Sequence, residues 1–278
     1  MTDKKGQEKR LDYLLKKFQE DSVKYKNLEV EDCYESKRMA LRSLMNIRMP
    51  REMTEEVLKV QDEFLSRETQ EKGIVTLQDI PTVKEAYQSS HPLGDKLSVW
   101  QGDITRLGIG AIVNAANSRM LGCFVPCHRC IDNAIHSAAG IQLRAECSRL
   151  MDQKKKHFGR SYEEPAGQAM LTGAYNLPAE YVIHTVGPIV GGELTGRDGQ
   201  ELKNCYESVL KCCAGHKIRS LAFCCISTGE FHFPNDEAAK IAVETVTEFL
   251  EKNRDSFDRV IFNVFKDLDR ELYEDELK

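Results

Sequence analysis

The chain has 278 residues, of which 30 % are charged and 41 % hydrophobic, a composition that is ordinary for a soluble globular protein. This length suits one large domain, or one domain with an extension. A formal net charge of −5 offers no electrostatic basis for capturing nucleic acid or an anionic membrane. Because no apolar run could span a bilayer and the charged N-terminus lacks a signal-peptide core, we expect a cytoplasmic protein.

Residues 1–89 predict a helical extension. Apolar side chains recur there at helical spacing in two stretches, with Leu11, Leu14, Leu15 and Phe18 in the first and Val57, Val60 and Phe64 in the second. Thr54 stands where it can cap the second helix. The extension is either a small subdomain packed on the main body or an element that docks a partner or selects a substrate. The sequence leaves both interpretations open.

From residue 90 to residue 278 the pattern changes to that of a domain in which strands alternate with helices. Strand-like runs lie at 97–100, 111–115, 170–176, 181–186, 221–226 and 260–265, and helical stretches at 131–150, 201–214 and 236–252. Such alternation predicts an α/β layer fold. Residues 177–180 are too few for a crossover helix, so the strands that they join should run antiparallel and the sheet should be mixed.

The ten cysteines fall into two groups. The first group lies as adjacent pairs inside apolar segments, where reduced cysteines serve as small hydrophobic side chains: Cys212, Cys213, Cys224 and Cys225. The second group surrounds His128 and consists of Cys123, Cys127 and Cys130. This second group is the candidate for metal or redox chemistry.

Cys123, His128 and Cys130 follow a C-x4-H-x-C spacing, and thiolate and imidazole are the ligands that zinc prefers. Three protein ligands leave one tetrahedral position open, as in catalytic zinc sites. Cys127 could complete a closed site instead, although adjacent side chains such as those of Cys127 and His128 usually diverge. A third interpretation takes residues 127–130 as a C-x-x-C dithiol, but it leaves Cys123 without a role.

Three loops with unusual content follow strand ends, which is where open α/β sheets bind ligands: residues 101–105, residues 114–130 and residues 227–234. Residues 227–234 combine small polar side chains with Gly229, and such a loop can direct backbone N–H groups at an anion such as a diphosphate. An ordinary strand-to-helix turn would have the same composition. Asp132 begins the helix after Cys130, either as a carboxylate that suits a helix N-terminus or as a group that orients or deprotonates water. His136 is interpreted as a structural histidine.

Five motifs resemble the macro domain family in their order and spacing over roughly residues 90–275. They are residues 101–105, residues 111–118, His136 with residues 138–140, residues 182–188, and residues 227–229. Jointly these motifs are very specific. Residues 122–133 are similar to the zinc-containing microbial subfamily, whereas ordinary macro domains have a glycine run there. The helical extension is also typical of that subfamily.

The resemblance implies a three-layer α/β/α sandwich on a mixed sheet and hydrolysis of mono-ADP-ribose from modified proteins, with Zn²⁺ as cofactor. In microbes the subfamily is associated with a sirtuin-like ADP-ribosyltransferase and with a lipoyl-carrier protein, which are therefore the partners that the resemblance implies. Two alternatives stay open. One is a non-catalytic module that binds ADP-ribose, and the other is an O-acetyl-ADP-ribose deacetylase that uses the same pocket.

The resemblance also implies roles for individual residues. Asp103 would bind the adenine amino group, Ile104 would supply a backbone contact, and Phe265 would lie against the adenine ring. Asn117 would contact the distal ribose, and Asp132 matches the catalytic aspartate of related hydrolases that lack zinc. The diphosphate would be cradled by Ser227, Thr228, Gly229, Glu230 and Phe231, and zinc would be held by Cys123, His128 and Cys130. Cys127 departs from the three-ligand pattern.

Overall fold

The computed structural model describes residues 4–278, so the first three residues of the predicted extension lie outside the described residues. The extension contains α1 (Lys4–Glu20), α2 (Tyr34–Ile47) and α3 (Glu55–Lys72). Their apolar faces meet in a small core of their own, to which Phe18, Leu41 and Phe64 contribute. The first and third helices were predicted from their apolar spacing, whereas α2 was not. Thr54 precedes α3, but its side chain makes no capping hydrogen bond.

Residues between the extension and the first strand belong to the larger core. Ile80, Leu93 and Val83 of the short helix α4 (Val83–Tyr87) are buried there. Val75 also forms an isolated parallel bridge with Leu107. The division of the chain at residue 89 therefore stays a prediction, since the segment just before it packs with the larger core.

The larger part of the chain is built on one six-stranded sheet. Its strands are β1 (Leu97–Gln101), β2 (Ala111–Ala116), β3 (Ala169–Gly173), β4 (Tyr181–Val186), β5 (Ser220–Phe223) and β6 (Arg259–Val264). Their order is β1-β6-β5-β2-β4-β3. All neighbours are parallel except β3 and β4, which pair antiparallel as the short connection predicted. The sheet is thus mixed.

Helices flank this sheet and complete the predicted three-layer α/β/α sandwich. They are α5 (Ile131–Ala139), α6 (Ile141–Phe158), α7 (Gly196–Gly215), α8 (Asn235–Lys252) and α9 (Asp267–Leu277). Helices α5 and α6 contact each other and the sheet, while α8 packs between α7 and α9. Among the described residues, no helix is both long and apolar enough to cross a membrane. All ten cysteines are free.

The single helical stretch predicted for residues 131–150 is wrong, because it is divided at Gly140. Gly140 adopts a φ of 96° and ends α5 just before α6 begins. A Cβ atom at this position would lie 2.7 Å from Gln61 Nε2 of α3, so both the backbone conformation and the close approach require glycine. Because the apolar stripe continues from α5 into α6, the spacing of apolar residues does not reveal the break at Gly140.

The carboxyl ends of the five parallel strands meet at one edge of the sheet. Strand β2 lies between β4 and β5 in its middle. The loops that follow β2 and β5 therefore lie side by side, as do the loops that follow β1 and β6. This edge brings together segments that are more than 100 residues apart in the sequence.

His184, in the middle of β4, is fully buried below this edge. Its Nδ1 lies 3.0 Å from the Asn114 amide nitrogen, which donates to it, so the proton is on Nε2 and faces Thr172 Oγ1 at 3.0 Å. Burial lowers the pKa of His184 to about 3. The imidazole is therefore neutral in the folded protein.

This buried histidine predicts a loss of stability in mild acid. The unfolded chain takes up a proton at His184 below about pH 6.5, while the folded chain does so only near its lowered pKa of about 3. Its contribution to the free energy of unfolding is complete above about pH 6.5 and falls on acidification, by up to about 1.4 kcal/mol per pH unit. Urea unfolding between about pH 7.5 and 5 measures this slope.

The variant His184→Gln should lose less stability over the same pH range than the unaltered protein. His216→Gln is the matched control, because His216 is exposed, and its pH dependence should equal that of the unaltered protein. If His184→Gln kept the full pH slope, the buried neutral histidine would not be its source.

Candidate functional site

The carboxylate of Asp132 lies at the centre of the site and is held by two asparagine amides from the β2 segment. Asn114 Nδ2 donates to Asp132 Oδ1 at 2.8 Å, and Asn117 Nδ2 lies 3.4 Å from Asp132 Oδ2. Asn114 is the last but two residue of β2, while Asn117 follows the strand directly. The central strand therefore fixes a carboxylate that the first turn of α5 presents.

The surroundings of Asp132 are those of a buried and not of a surface carboxyl group. Its exposed fraction is 5 %. Burial raises the pKa of Asp132 to about 6, against the opposing effect of the Asn114 hydrogen bond. His136 Nε2 lies 3.5 Å from Asp132 Oδ1, and burial holds the pKa of His136 well below its usual range. His136 is thus a buried neutral side chain, in keeping with its structural interpretation.

The side chains of Cys123, His128 and Cys130 come together beside Asp132. Their ligand atoms all lie within 4.8 Å of one another, and Cys123 Sγ is 3.7 Å from His128 Nδ1. Cys130 precedes α5 as its capping residue, and its Sγ accepts from the Asn133 N–H at 3.4 Å. Asp132 is therefore the second residue of the helix that Cys130 caps. The ligand cluster and the carboxylate are parts of one short segment.

Cys127 stands apart from this cluster. It adopts a φ of 52°, which is uncommon for a residue other than glycine, and its Sγ lies 3.3 Å from Ser43 Oγ of α2. Its backbone N–H donates to Asn46 Oδ1 at 2.9 Å. The thiol thus faces the extension, while the neighbouring His128 side chain joins Cys123 and Cys130.

These three residues fit a zinc ion by their donor set and by their surroundings. Two thiols and one imidazole are a usual set for a site with an open fourth position. His128 Nε2 lies 3.6 Å from Glu230 Oε1, and metal-binding histidines usually turn their second nitrogen to a carboxylate or carbonyl oxygen. Burial raises the pKa of the Cys130 thiol to about 12, so that a cation would be needed to hold it as a thiolate.

The loop after β5 offers unused backbone donors. Among the described residues, the N–H groups of residues 228–231 donate no hydrogen bond. Ser227 adopts a φ of 65° and its hydroxyl group is buried without a hydrogen-bond partner in the described chain. A Cβ atom on Gly187 would clash with that hydroxyl oxygen. Because Gly187, which follows β4, has no side chain, the Ser227 hydroxyl group fits beside it. Apart from Gly229 itself and its two chain neighbours, no described residue has an atom within 4 Å of the position that a Cβ atom on Gly229 would take.

The loops after β1 and β6 form the other end of the site. Asp103 Oδ1 accepts from Thr105 N and Thr105 Oγ1, so that Oδ2 is left to accept from a ligand. Ile104, the next residue, is buried. Phe265 follows β6 with 77 % of its surface exposed, and its carbonyl oxygen accepts from Gln101 Nε2. The loop that carries the exposed Phe265 ring is therefore hydrogen-bonded to the loop that precedes Asp103.

Four residues around the ligand cluster were missed from the sequence as functional candidates: Arg42, Asn46, Asn114 and Arg144. A buried polar residue inside an apolar strand needs a partner, and that signal could have identified Asn114. Nothing in the pattern marked the other three. Arg144 is 4 % exposed and donates to five carbonyl oxygens on two different segments.

The arrangement has three chemical parts along one edge of the sheet. A carboxylate oxygen and an exposed aromatic ring suit a purine with an exocyclic amino group. A row of free backbone N–H groups suits a diphosphate. A buried carboxylate with an adjoining Cys2His cluster suits activation of water. The order of these parts is that of an extended nucleotide whose far end is the reacting end.

Known proteins share this architecture. The Macro domain family model matches residues 113–242. The chain is 44 % identical to a protein-ADP-ribose hydrolase of Treponema medium, over 98 % of both chains. It is 41 % identical to a protein-ADP-ribose hydrolase of Staphylococcus aureus (strain MSSA476), over 98 % of this chain and 96 % of that one.

A solved structure agrees with these relatives. The Trypanosoma brucei macrodomain in complex with ADP-ribose superposes with a TM-score of 0.63 and is 28 % identical, over 88 % of this chain and 96 % of that chain. The two relatives match nearly the whole chain, including the helical extension. From the fold, the five motifs and these relatives, the chain belongs to the macro domain family.

Proposed function

We propose that this protein is a hydrolase that removes mono-ADP-ribose from modified proteins, and that it uses zinc held by Cys123, His128 and Cys130. The observation that carries this proposal is the position of Asp132, a buried carboxylate at the head of the helix that Cys130 caps. The names of the Treponema medium and Staphylococcus aureus relatives support the activity.

The remote part of the substrate would be bound by groups that take no part in the reaction. Asp103 Oδ2 accepts from the adenine amino group, and Phe265 covers the ring. The N–H groups of residues 228–231 donate to the diphosphate, for which no other hydrogen bond has to be broken. Binding energy from this part fixes the distal ribose against Asn117 and Asp132.

The reaction replaces the bond between the distal ribose and the modified protein by a bond to the oxygen of water. A zinc ion held by Cys123, His128 and Cys130 would supply Lewis acidity toward water or a ribose oxygen. Asp132 orients the attacking water and accepts its proton, while the leaving atom of the modified protein takes up a proton. Asn114 and Asn117 keep the carboxylate in place by their amide hydrogen bonds.

The modified protein and the transferase that supplies it are proposed from the family resemblance alone. A lipoyl-carrier protein and a sirtuin-like ADP-ribosyltransferase would be these partners. Incubating the hydrolase with a mono-ADP-ribosylated lipoyl-carrier protein, and with another protein carrying the same modification, would test the preference through the ratio of their kcat/KM values.

Substitution of a zinc ligand should abolish turnover. Cys130→Ala removes one of only three protein ligands and the cap of α5, so we expect loss of bound zinc and of ADP-ribose release from a mono-ADP-ribosylated protein. Cys127→Ala is the matched control three residues earlier, because the Cys127 thiol faces Ser43. That variant should keep both zinc and activity. Metal analysis and a release assay measure the two outcomes.

Two results would contradict the assignment of the ligands. If the metal-free Cys130→Ala variant released ADP-ribose at the full rate, the reaction would not depend on zinc. Loss of zinc from Cys127→Ala would mean that Cys127 is a ligand.

Removal of the Asp132 charge should affect the reaction and not binding. Asp132→Asn keeps the size of the side chain but removes the proton acceptor, so we expect kcat to fall by about 10²–10⁴-fold. The dissociation constant for ADP-ribose, measured by calorimetry, should be unchanged. Asp152→Asn is the control, because Asp152 is exposed on α6, and its kcat should equal that of the unaltered protein.

The same assays distinguish the alternative functions. A protein that binds ADP-ribose with zinc in place, but releases none from any modified carrier, would be a reader. Release of acetate from O-acetyl-ADP-ribose without release from modified proteins would indicate a deacetylase.

A further inference from the structure

The segment that carries the metal ligands, residues 121–130, has almost no regular structure of its own. We call it the ligand loop. It contains no helix or strand, and one backbone–backbone hydrogen bond lies within it among the described residues, from His128 N to Val125 O at 3.2 Å. Its conformation must therefore be set by side chains of other elements.

Helix α2 of the extension supplies part of these contacts. Asn46, which is 1 % exposed, accepts from Cys127 N at 2.9 Å and donates from Nδ2 to Ser137 Oγ of α5 at 2.9 Å. One turn earlier, Arg42 Nη2 donates to His128 O at 3.3 Å and to Asn133 Oδ1 at 2.7 Å. Asn133 in turn donates to Val125 O at 2.9 Å.

Arg144 of α6 joins the same two segments through its guanidinium group. Its Nε donates to Leu121 O at 2.7 Å and its Nη2 to Cys123 O at 3.2 Å. Its Nη1 lies 2.6–3.1 Å from the carbonyl oxygens of Met45, Asn46 and Arg48, at the C-terminal end of α2. A cation at that position is also favoured by the helix dipole.

We propose that α2 and Arg144 form a brace that orders the ligand loop before any metal binds, with Arg42, Asn46 and Arg144 as positioning residues. Ordering a free chain costs about 1–2 kcal/mol for each residue. If the loop became ordered only around the ion, this ordering cost would make the free energy of metal binding less favourable. In a braced loop the free energy of ordering is spent during folding, so the ligands already hold their binding positions when the ion arrives. The role of the ion itself rests on the proposed function.

Helix α2 offers a matched control for this proposal. Arg38 lies one turn before Arg42, but its guanidinium group pairs with Glu68 of α3 through two hydrogen bonds of 2.6 and 2.8 Å and does not contact the ligand loop. Arg38→Ala therefore removes the same side chain from the same helix without removing a hydrogen bond to the ligand loop. Arg42→Ala removes the contacts with His128 and Asn133.

Hydrogen exchange of the full chain, freed of metal with a chelator, tests the brace without using activity. We expect the amide groups of residues 121–130 to exchange about tenfold faster in Arg42→Ala than in Arg38→Ala, the factor produced by losing a hydrogen bond worth ~1.4 kcal/mol. Asn46→Ala, which removes the acceptor of the Cys127 N–H, should do the same. Peptides from β2 and β4 should exchange equally in all variants, showing that the fold is intact.

Competition with a coloured zinc chelator gives the second readout. Zinc should bind Arg42→Ala and Asn46→Ala at least about tenfold more weakly than Arg38→Ala. In the first two variants part of the free energy of zinc binding is needed to order the ligand loop. ADP-ribose bound at residues 103 and 228–231 should keep its affinity.

The outcomes separate the brace from the proposed function. Equal exchange of the ligand loop in Arg42→Ala and Arg38→Ala, or a loop that exchanges like unstructured chain in the unaltered metal-free protein, would overturn the brace. Failure of the unaltered protein to bind zinc would overturn the metal part of the proposed function, while the exchange comparison would still decide the brace.

Discussion

The hydrogen bond from the Asn114 amide to the Asp132 carboxylate joins the central strand of the sheet to the helix that follows the ligand loop. The same amide group donates to His184 on the neighbouring strand β4. Because both acceptors are buried, this amide determines which of their atoms must be unprotonated. This hydrogen bond thereby fixes the position of α5, and with it that of Cys130 and Asp132, relative to the central strand.

The charges of the site are balanced mainly by dipoles. Asp132 is stabilised by asparagine amides and by the first turn of α5, while Arg144 is surrounded by carbonyl oxygens. Burial lowers the pKa of Arg144 to about 10, which leaves it charged at neutral pH. A buried charge that lacks a direct partner of opposite sign is costly unless such dipoles are fixed in place. The extension therefore helps to stabilise the buried charge of Arg144, because the carbonyl oxygens of Met45, Asn46 and Arg48 accept from its guanidinium group.

Much of the fold could be predicted from local patterns. The six strands, the antiparallel pair around residues 177–180 and the apolar faces of α1 and α3 all follow from periodicity and connection length. The strand order could not be predicted this way, because it depends on pairing between distant segments. The break at Gly140 was hidden since the apolar stripe runs on across it.

For the candidate site too, some residues could be predicted from the sequence and others could not. Ligand chemistry has a signature in side-chain type and spacing, so Cys123, His128 and Cys130 could be named beforehand, and the divergence of Cys127 follows from the adjacency of two side chains. The contacts of Arg144 had no such signature, because all five acceptors are backbone carbonyl groups that any sequence provides. The family resemblance supplied the nucleotide, which spacing alone could not name.

The proposed function requires that a carboxylate and a zinc ion on one short segment act together on the distal ribose. Zinc titration of the metal-free protein, followed by the initial rate of ADP-ribose release from a mono-ADP-ribosylated protein, tests it most directly. We expect a negligible rate without metal and a linear rise to a plateau at one zinc ion per chain. Release by the metal-free protein at the rate of the plateau would contradict it.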